Sequence, residues 1–268
     1  MLENLKIPAK YVSAYLKSQI EYKVSFFMDM FVQVVTNLVN ILAIGIVLNK
    51  FNNVMGWSFY EILFLYNINL ISFGLSGMFF YAPMVRLQGM VQQGTFDSIL
   101  IRPINPLLHL IFTNFRHVFF GHLTVGCIML GIAIKNLYIS WTAASIIWLI
   151  LDIIGATLIQ ASMLIVVGTL SFWFIKTNSA MDTLVWGVRK FLEYPITIYN
   201  KAIEIILIFI LPYAFVNFFP VQMFLGKNEF IFFNSGVQYA TPFVGGGLFI
   251  LSYIFWSIGI NHYNSTGS

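Results

Sequence analysis

The stretch RLQGMVQQGTFDSILIRPINPL, residues 86–107, holds two arginines, an aspartate, three glutamines, two glycines and two prolines between long apolar segments. Its chemistry is that of docking. Gly94 permits a turn, Asp97 is placed to cap the helix that follows, and Pro103 and Pro106 end that helix. Arg102 would pair with an acidic groove on a partner, and Phe96 and Ile99 would fill it. The same residues also suit a plain connecting loop with a helix cap and an interfacial arginine. Trp186, Arg189 and Lys190 form either a second contact of this kind or an interfacial anchor.

A second group lies within apolar sequence. Gln33, Asn37 and Asn40 follow i, i+4, i+7 spacing and share one helix face. Such a stripe faces protein or water, not lipid. It either bonds neighbouring helices or lines a substrate path, together with Asn67 and Asn69. Asp152 is the one acid deep in an apolar run, about 16 Å along a helix that begins at Trp141. It is either a proton or cation site, or it bonds to a neighbouring helix or sits in a re-entrant break or near the outer surface. His117 and His122 are five apart and share a helix face poorly. With His109 they lack the His-Glu-x-x-His or Cys/His patterns of a metal site. No phosphate loop of the form G-x-x-x-x-G-K-[ST] and no G-x-S-x-G nucleophile elbow is present. Gly245–Gly247 sits inside an apolar run and reads as a hinge or close-packing point. Cys127 is the single cysteine, so neither a disulfide framework nor a cysteine-based metal site can be built.

The elements that must carry these residues follow from composition. The chain is 268 residues long, 59% hydrophobic and only 9% charged. Soluble domains carry about 25% charged residues, so the solvent here is a bilayer. The net charge of +4 is spread too thinly to mark nucleic-acid binding. Residues 1–23 carry Lys6, Lys10, Lys17, Glu21 and Lys23 without a continuous apolar core, so they are expected to stay as an N-terminal segment and not to be cleaved as a signal peptide. Lys10, Ser13, Lys17 and Glu21 share one face of a helix. Tyr11, Val12, Tyr15, Leu16 and Tyr22 share the other, as suits an interfacial amphipathic helix.

Residues 24–268 read as one membrane domain of roughly six spans. The expected spans are 24–48, 59–83, 108–134, 141–175, 201–219 and 239–260. The fourth would be about 52 Å long as one helix, against a hydrocarbon core of about 30 Å, so it protrudes, tilts or breaks near Gly155 or Gly168. Ser72 and Ser76 offer a small-xxx-small packing surface. The segment 176–200 reads as a second polar interruption on the same side as 86–107, and 220–238 as a re-entrant element. With the N-terminus inside, eleven Lys and Arg fall on inner segments and three on outer ones. The positive-inside rule then places both termini in the cytoplasm of a multi-pass plasma (inner) membrane protein.

The run GTFDSILIRPINP, residues 94–106, resembles the G-x-[FL]-D-x-x-L-[LI]-R-P-x-[NS]-P motif of type-2 ABC exporter permeases. Tyr194-Pro195, Leu211-Pro212, Phe219-Pro220 and the polar tail from Tyr263 match further family positions, and the likeness covers nearly the whole chain. The resemblance implies an all-α integral membrane protein. It would have six transmembrane helices, an N-terminal interfacial helix, a cytoplasmic coupling helix between spans 2 and 3, and a candidate re-entrant element before span 6. It implies a permease without catalytic residues or cofactor of its own. Two copies of a separate cytoplasmic ATPase would hold ATP and Mg, and a second permease chain, identical or homologous, would complete the path. The coupling residues it points to are Gly94, Phe96, Asp97, Ile99, Arg102, Pro103, Asn105 and Pro106, with Trp186, Arg189 and Lys190. Family cargoes include drugs, peptides, lipids and polysaccharides. Two rival functions are a secondary transporter built on Asp152, and an intramembrane enzyme or assembly subunit using His109 or His117.

Overall fold

The computed structural model describes residues 11–264 except Leu16, Gln19, Ile20, Asn52, Ile175, Lys176 and 230–234. Lys6, Lys10, Leu16, Lys176 and the end of the polar tail therefore lie outside the described residues. Among these residues every named element is helical. Five helices are long and apolar enough to cross a membrane.

The first crossing, α1 (Lys23–Phe51), exposes Val35, Val39, Leu42 and Ile46 along one side. The second is α2 (Phe59–Ser76), which passes through a π turn (Gly77–Tyr81) into α3 (Ala82–Gln92). Pro83 has no N–H to give the preceding turn, and the wider register absorbs that loss. Gly77 lies so close to the Phe119 ring that a Cβ would collide with it. After the 86–107 stretch come α5 (Pro106–Thr113) and the third crossing, α6 (Phe120–Asn136), preceded by a 3-10 turn at His117–Phe119. The fourth, α7 (Ala143–Thr169), continues as a 3-10 turn to Phe172 without a break. As one helix of 30 residues it is longer than the hydrocarbon core is thick, and it does not break at Gly155 or Gly168. The last crossing is α11 (Thr241–His262).

Close packing fixes the bundle. A Cβ on Gly245 would strike the Gly155 carbonyl, and one on Gly155 would come within 2.7 Å of the Pro242 backbone. The glycine run is thus a packing point at Gly245, whereas Gly246 and Gly247 face open space. Ser72 of α2 receives a hydrogen bond from Gln160 Nε2 of α7 at 2.6 Å. The N-terminal residues dock as an amphipathic helix would: Tyr15 OH lies 3.0 Å from His117 Nδ1 and Tyr11 meets His109 edge-on, while Lys17 and Glu21 stay exposed. Tyr22 is the exception, 72% exposed.

Two expectations are corrected. The segment 177–198 is not a second loop beside 86–107. Its chain runs antiparallel to α3 and α2 from one end of the bundle to the other. Thr177 bonds Gln88, Trp186 bonds Tyr81, Arg189 covers Phe73, the Leu192 carbonyl shares Asn217 with that of Leu65, and Thr197 reaches Glu229, the partner of Trp57. This crossing is helical from Asn178 to Glu193, in α8 (Asn178–Met181), a π turn (Asp182–Gly187) and a 3-10 turn (Lys190–Glu193).

The expected span at 201–219 is likewise not a crossing. Residues 201–210 and 213–225 form two helices bent by 79° about Leu211 and Pro212. Thr197 precedes them at the Trp57 end, and Lys227 returns there to bond the Gly56 carbonyl at 2.9 Å. Both ends of 201–225 thus lie at the same end of the bundle, so this pair is the re-entrant element, earlier in the chain than the expected 220–238. We call the end holding 86–107 the near end and the end holding Trp57 the far end.

Candidate functional site

At the near end, α3 stops at a left-handed turn. Gly94 has φ of +67°, a conformation that favours glycine. One turn of helix follows, α4 (Asp97–Leu100). Phe96 holds its cap position and no side chain caps it, so Asp97 is its first residue and not its cap. Asn105 is a true cap: its side chain accepts from the Leu107 and Leu108 N–H groups at 3.0 and 3.2 Å, and Pro106 takes the first helical position of α5. Asn105 also donates to Tyr253 OH at 2.8 Å, which ties the turn to α11.

Phe96 and Ile99 are not available to fill a partner's groove. Phe96 is 0% exposed, packed against Phe172, Trp256 and Tyr263, and Ile99 is also buried. The helix ends at Leu100, and residues 100–103 are exposed beside the buried 96 and 99. Ile101 is 84% exposed, with Leu100, Arg102 and Pro103 beside it. Ile101 is the residue that sequence reasoning missed, although the spacing from Phe96 could have found it. Close by, burial and the Arg102 charge hold the His109 imidazole below the usual histidine range.

Trp186, Arg189 and Lys190 do not join this surface. They lie midway along the bundle, because the segment that carries them crosses it. There they meet part of the polar stripe: Asn37, Asn40, Asn69, Arg189, Lys190 and Glu193 share a cavity of about 150 Å³ with Tyr66 and Trp186. A second cavity of about 280 Å³ lies toward the near end, walled by Gln33, Tyr81, Arg86, Arg116, Phe119 and His122. Trp186 lines both, and its indole donates to Tyr81 OH at 3.2 Å. Asn67 is not part of either: it is buried and donates to Leu63 of its own helix. Tyr66, Glu193, Arg86 and Arg116 are lining residues that the sequence pattern did not single out.

Other candidates are dispersed. Asp152 is buried in α7, and among the described residues neither carboxyl oxygen has a hydrogen-bond partner. His117 stacks on Phe26 and lies 3.7 Å from Asp29, whereas His122 faces Gln33 at 3.2 Å. The histidines therefore serve separate neighbours and do not converge.

This geometry of a long bundle with a short helical turn at its near end and a re-entrant pair is joined by a family match. The family model described as "ABC-2 family transporter protein" matches residues 34–267. The chain belongs to that family. It is an ABC transporter permease, a multi-pass membrane protein of a family that generally works with an ATPase subunit and generally lacks ATPase motifs of its own. No curated protein matches the chain.

Proposed function

We propose that this permease is the membrane part of an ATP-driven exporter, docked at its near end by a separate ATPase present in two copies and paired with a second permease chain. The observation that carries the reading is the Leu100–Pro103 surface on a turn whose other face is anchored by Phe96. An ATPase that closes on ATP can move spans only by gripping something rigid. Phe96 links that grip to Phe172 at the end of the fourth crossing and to Trp256 and Tyr263 at the end of the last.

Orientation supports the same arrangement. Lys17, Lys23, Arg86, Arg102 and Arg116 belong to the near end, and Lys50, Lys135, Lys201 and Lys227 to the far end. Arg189, Lys190 and Lys201 leave the near-end count, so among the described residues the excess is five to four, and we read the near end as cytoplasmic. Cargo would pass along the two cavities between α1, α2 and the 177–198 crossing. ATP and Mg would reside on the ATPase, and the host bilayer is the plasma membrane.

The test is affinity purification of the chain in mild detergent. The wild-type chain is expected to bring down a P-loop ATPase, and Arg102→Glu to lose it. Retention of the ATPase by a folded Arg102→Glu variant would remove the docking assignment.

A further inference from the structure

The cations of this chain fall into two classes. At the far end Lys227 pairs with Glu61 at 3.1 Å and Lys201 with Glu204 at 3.0 Å. Along the cavities the pattern reverses. Among the described residues no ion pair involves Arg86, Arg116, Arg189 or Lys190. Arg86 donates to the neutral Asn114 side chain at 2.8 Å. Arg189 lies 3.7 Å over the Phe73 ring, and its buried Nε has no acceptor. Glu193 is the one carboxylate lining either cavity, so the lining carries an excess of positive charge at both levels.

Arg86 and Arg116 are exposed at the mouth of the second cavity, whereas Arg189 lies within the bundle with Glu193 as its one nearby carboxylate. A cation held inside a membrane protein is expensive, and such groups face cavities that serve a substrate or ion. A cation–π contact recovers only part of the lost hydration. The remaining donors of a guanidinium fit a planar or tetrahedral oxyanion bidentately. Beside Arg86, Arg116 and the polar Gln33 and His122, the second cavity is lined by apolar and aromatic side chains, among them Val85, Val118, Phe119 and Trp186.

We infer that the cargo of this permease is an amphipathic anion, a phosphate or carboxylate headgroup on an apolar body. The headgroup meets Arg86 and Arg116 first and then Arg189, and Trp186 with its Tyr81 bond separates the two stations. The inference rests on the cavities being the translocation path.

The test uses the chain purified with its associated subunits in nanodiscs of zwitterionic lipid. Binding of radiolabelled decyl phosphate is measured below its micellar concentration, with inorganic phosphate and decyltrimethylammonium as competitors. Decyl phosphate is expected to bind saturably. Arg189→Gln and Arg116→Gln should each weaken it about tenfold or more, the loss expected for one charge-assisted hydrogen bond. Arg189→Lys, which keeps the charge but not the bidentate fork, should bind between wild type and Arg189→Gln, which separates loss of charge from loss of fold. Lys135→Gln, outside the cavities, should bind as wild type. Equal binding by the arginine variants, or competition by decyltrimethylammonium as strong as by decyl phosphate itself, would overturn the inference. Equal competition by inorganic phosphate would overturn its amphipathic part. Binding is read without ATP turnover, so failure here leaves the ATPase docking result unaffected.

Discussion

The ring of Phe96 meets that of Tyr263 edge-on, with centroids 5.2 Å apart and planes at 85°. One residue belongs to the docking turn and the other follows the last crossing. Phe172 and Trp256 complete the cluster. The contact makes the turn part of the bundle and not a hinged loop.

Phe96→Ala should therefore separate docking from transmission. Its exposed face is untouched, so the ATPase should still co-purify. The cavity left in the cluster should cost about 3–5 kcal/mol. Hydrogen exchange across 241–262 should respond to ATP in the wild-type complex and fail to respond in the variant. An unchanged response would mean that force travels by another route.

Ile101→Glu tests the outward face. The side chain touches little of its own protein, so the melting temperature should stay within the range of an ordinary surface change, about ±0.5 kcal/mol. A charge inserted into a packed contact should lower ATPase affinity at least tenfold, a loss of about 1.4 kcal/mol. Measured affinity equal to wild type would return the docking surface to other residues.

At the far end, Lys227 Nζ bonds Glu61 and the Gly56 carbonyl and sits 4.4 Å over the Trp57 ring. This clasp ties the exit of the re-entrant pair to the start of the second crossing. Glu61→Gln leaves a partly buried ammonium without its counter-charge, at a cost of roughly 1–3 kcal/mol. Hydrogen exchange should rise selectively over 213–229. A uniform rise along the chain would instead point to general destabilisation.

Much of this architecture was legible in the sequence. The crossings expected at 24–48, 59–83 and 141–175 correspond to helices because their apolar runs are long and their polar residues are few, whereas the one expected at 108–134 begins only at His117, after the separate α5. The turn at 94–106 was legible as a turn, since Gly94, Asn105 and Pro106 each have a backbone requirement that their spacing exposes. The fifth crossing was not legible. Hydropathy counts Arg189, Lys190 and Glu193 as solvent-seeking wherever they point, and here they line a cavity inside the bundle. Once that segment is read as a loop, the apolar run after it is taken for the span. Pro212 then reads as a kink within it and not as the tip of a hairpin. The outward turn of Ile101 was missed for a related reason: aromatic Phe96 was assigned to the partner when its own bundle had a place for it.

Packing between the fourth and last crossings offers a direct comparison of glycines. Gly155→Ala and Gly245→Ala each bring a methyl group against the opposite backbone, which cannot yield as a side-chain tip would. Each should lower stability by about 1–3 kcal/mol. Gly247→Ala meets open space and should be neutral or slightly stabilising, because alanine favours the helix by about 1 kcal/mol. Thermal unfolding of the purified variants checks the ranking. Equal effects at all three positions would show that helix propensity, not contact, governs them.

Asp152 separates an ATP-driven permease from an ion-coupled transporter. Its carboxyl oxygens are buried without hydrogen-bond partners among the described residues. Leucine has the same branching at Cγ with two methyl groups in place of the two oxygens. Replacing an unsatisfied polar group by an apolar one of the same shape is nearly neutral or stabilising. Asp152→Leu should therefore melt at or above the wild-type temperature. It should also retain ATP hydrolysis and the ATP-induced hydrogen-exchange response of the complex. An ion or proton site would behave in the opposite way: the folded variant would lose activity, and wild-type transport would collapse when a protonophore or ionophore dissipates the gradient while ATP is still present. That pair of results would transfer the driving role from the docking turn to the fourth crossing.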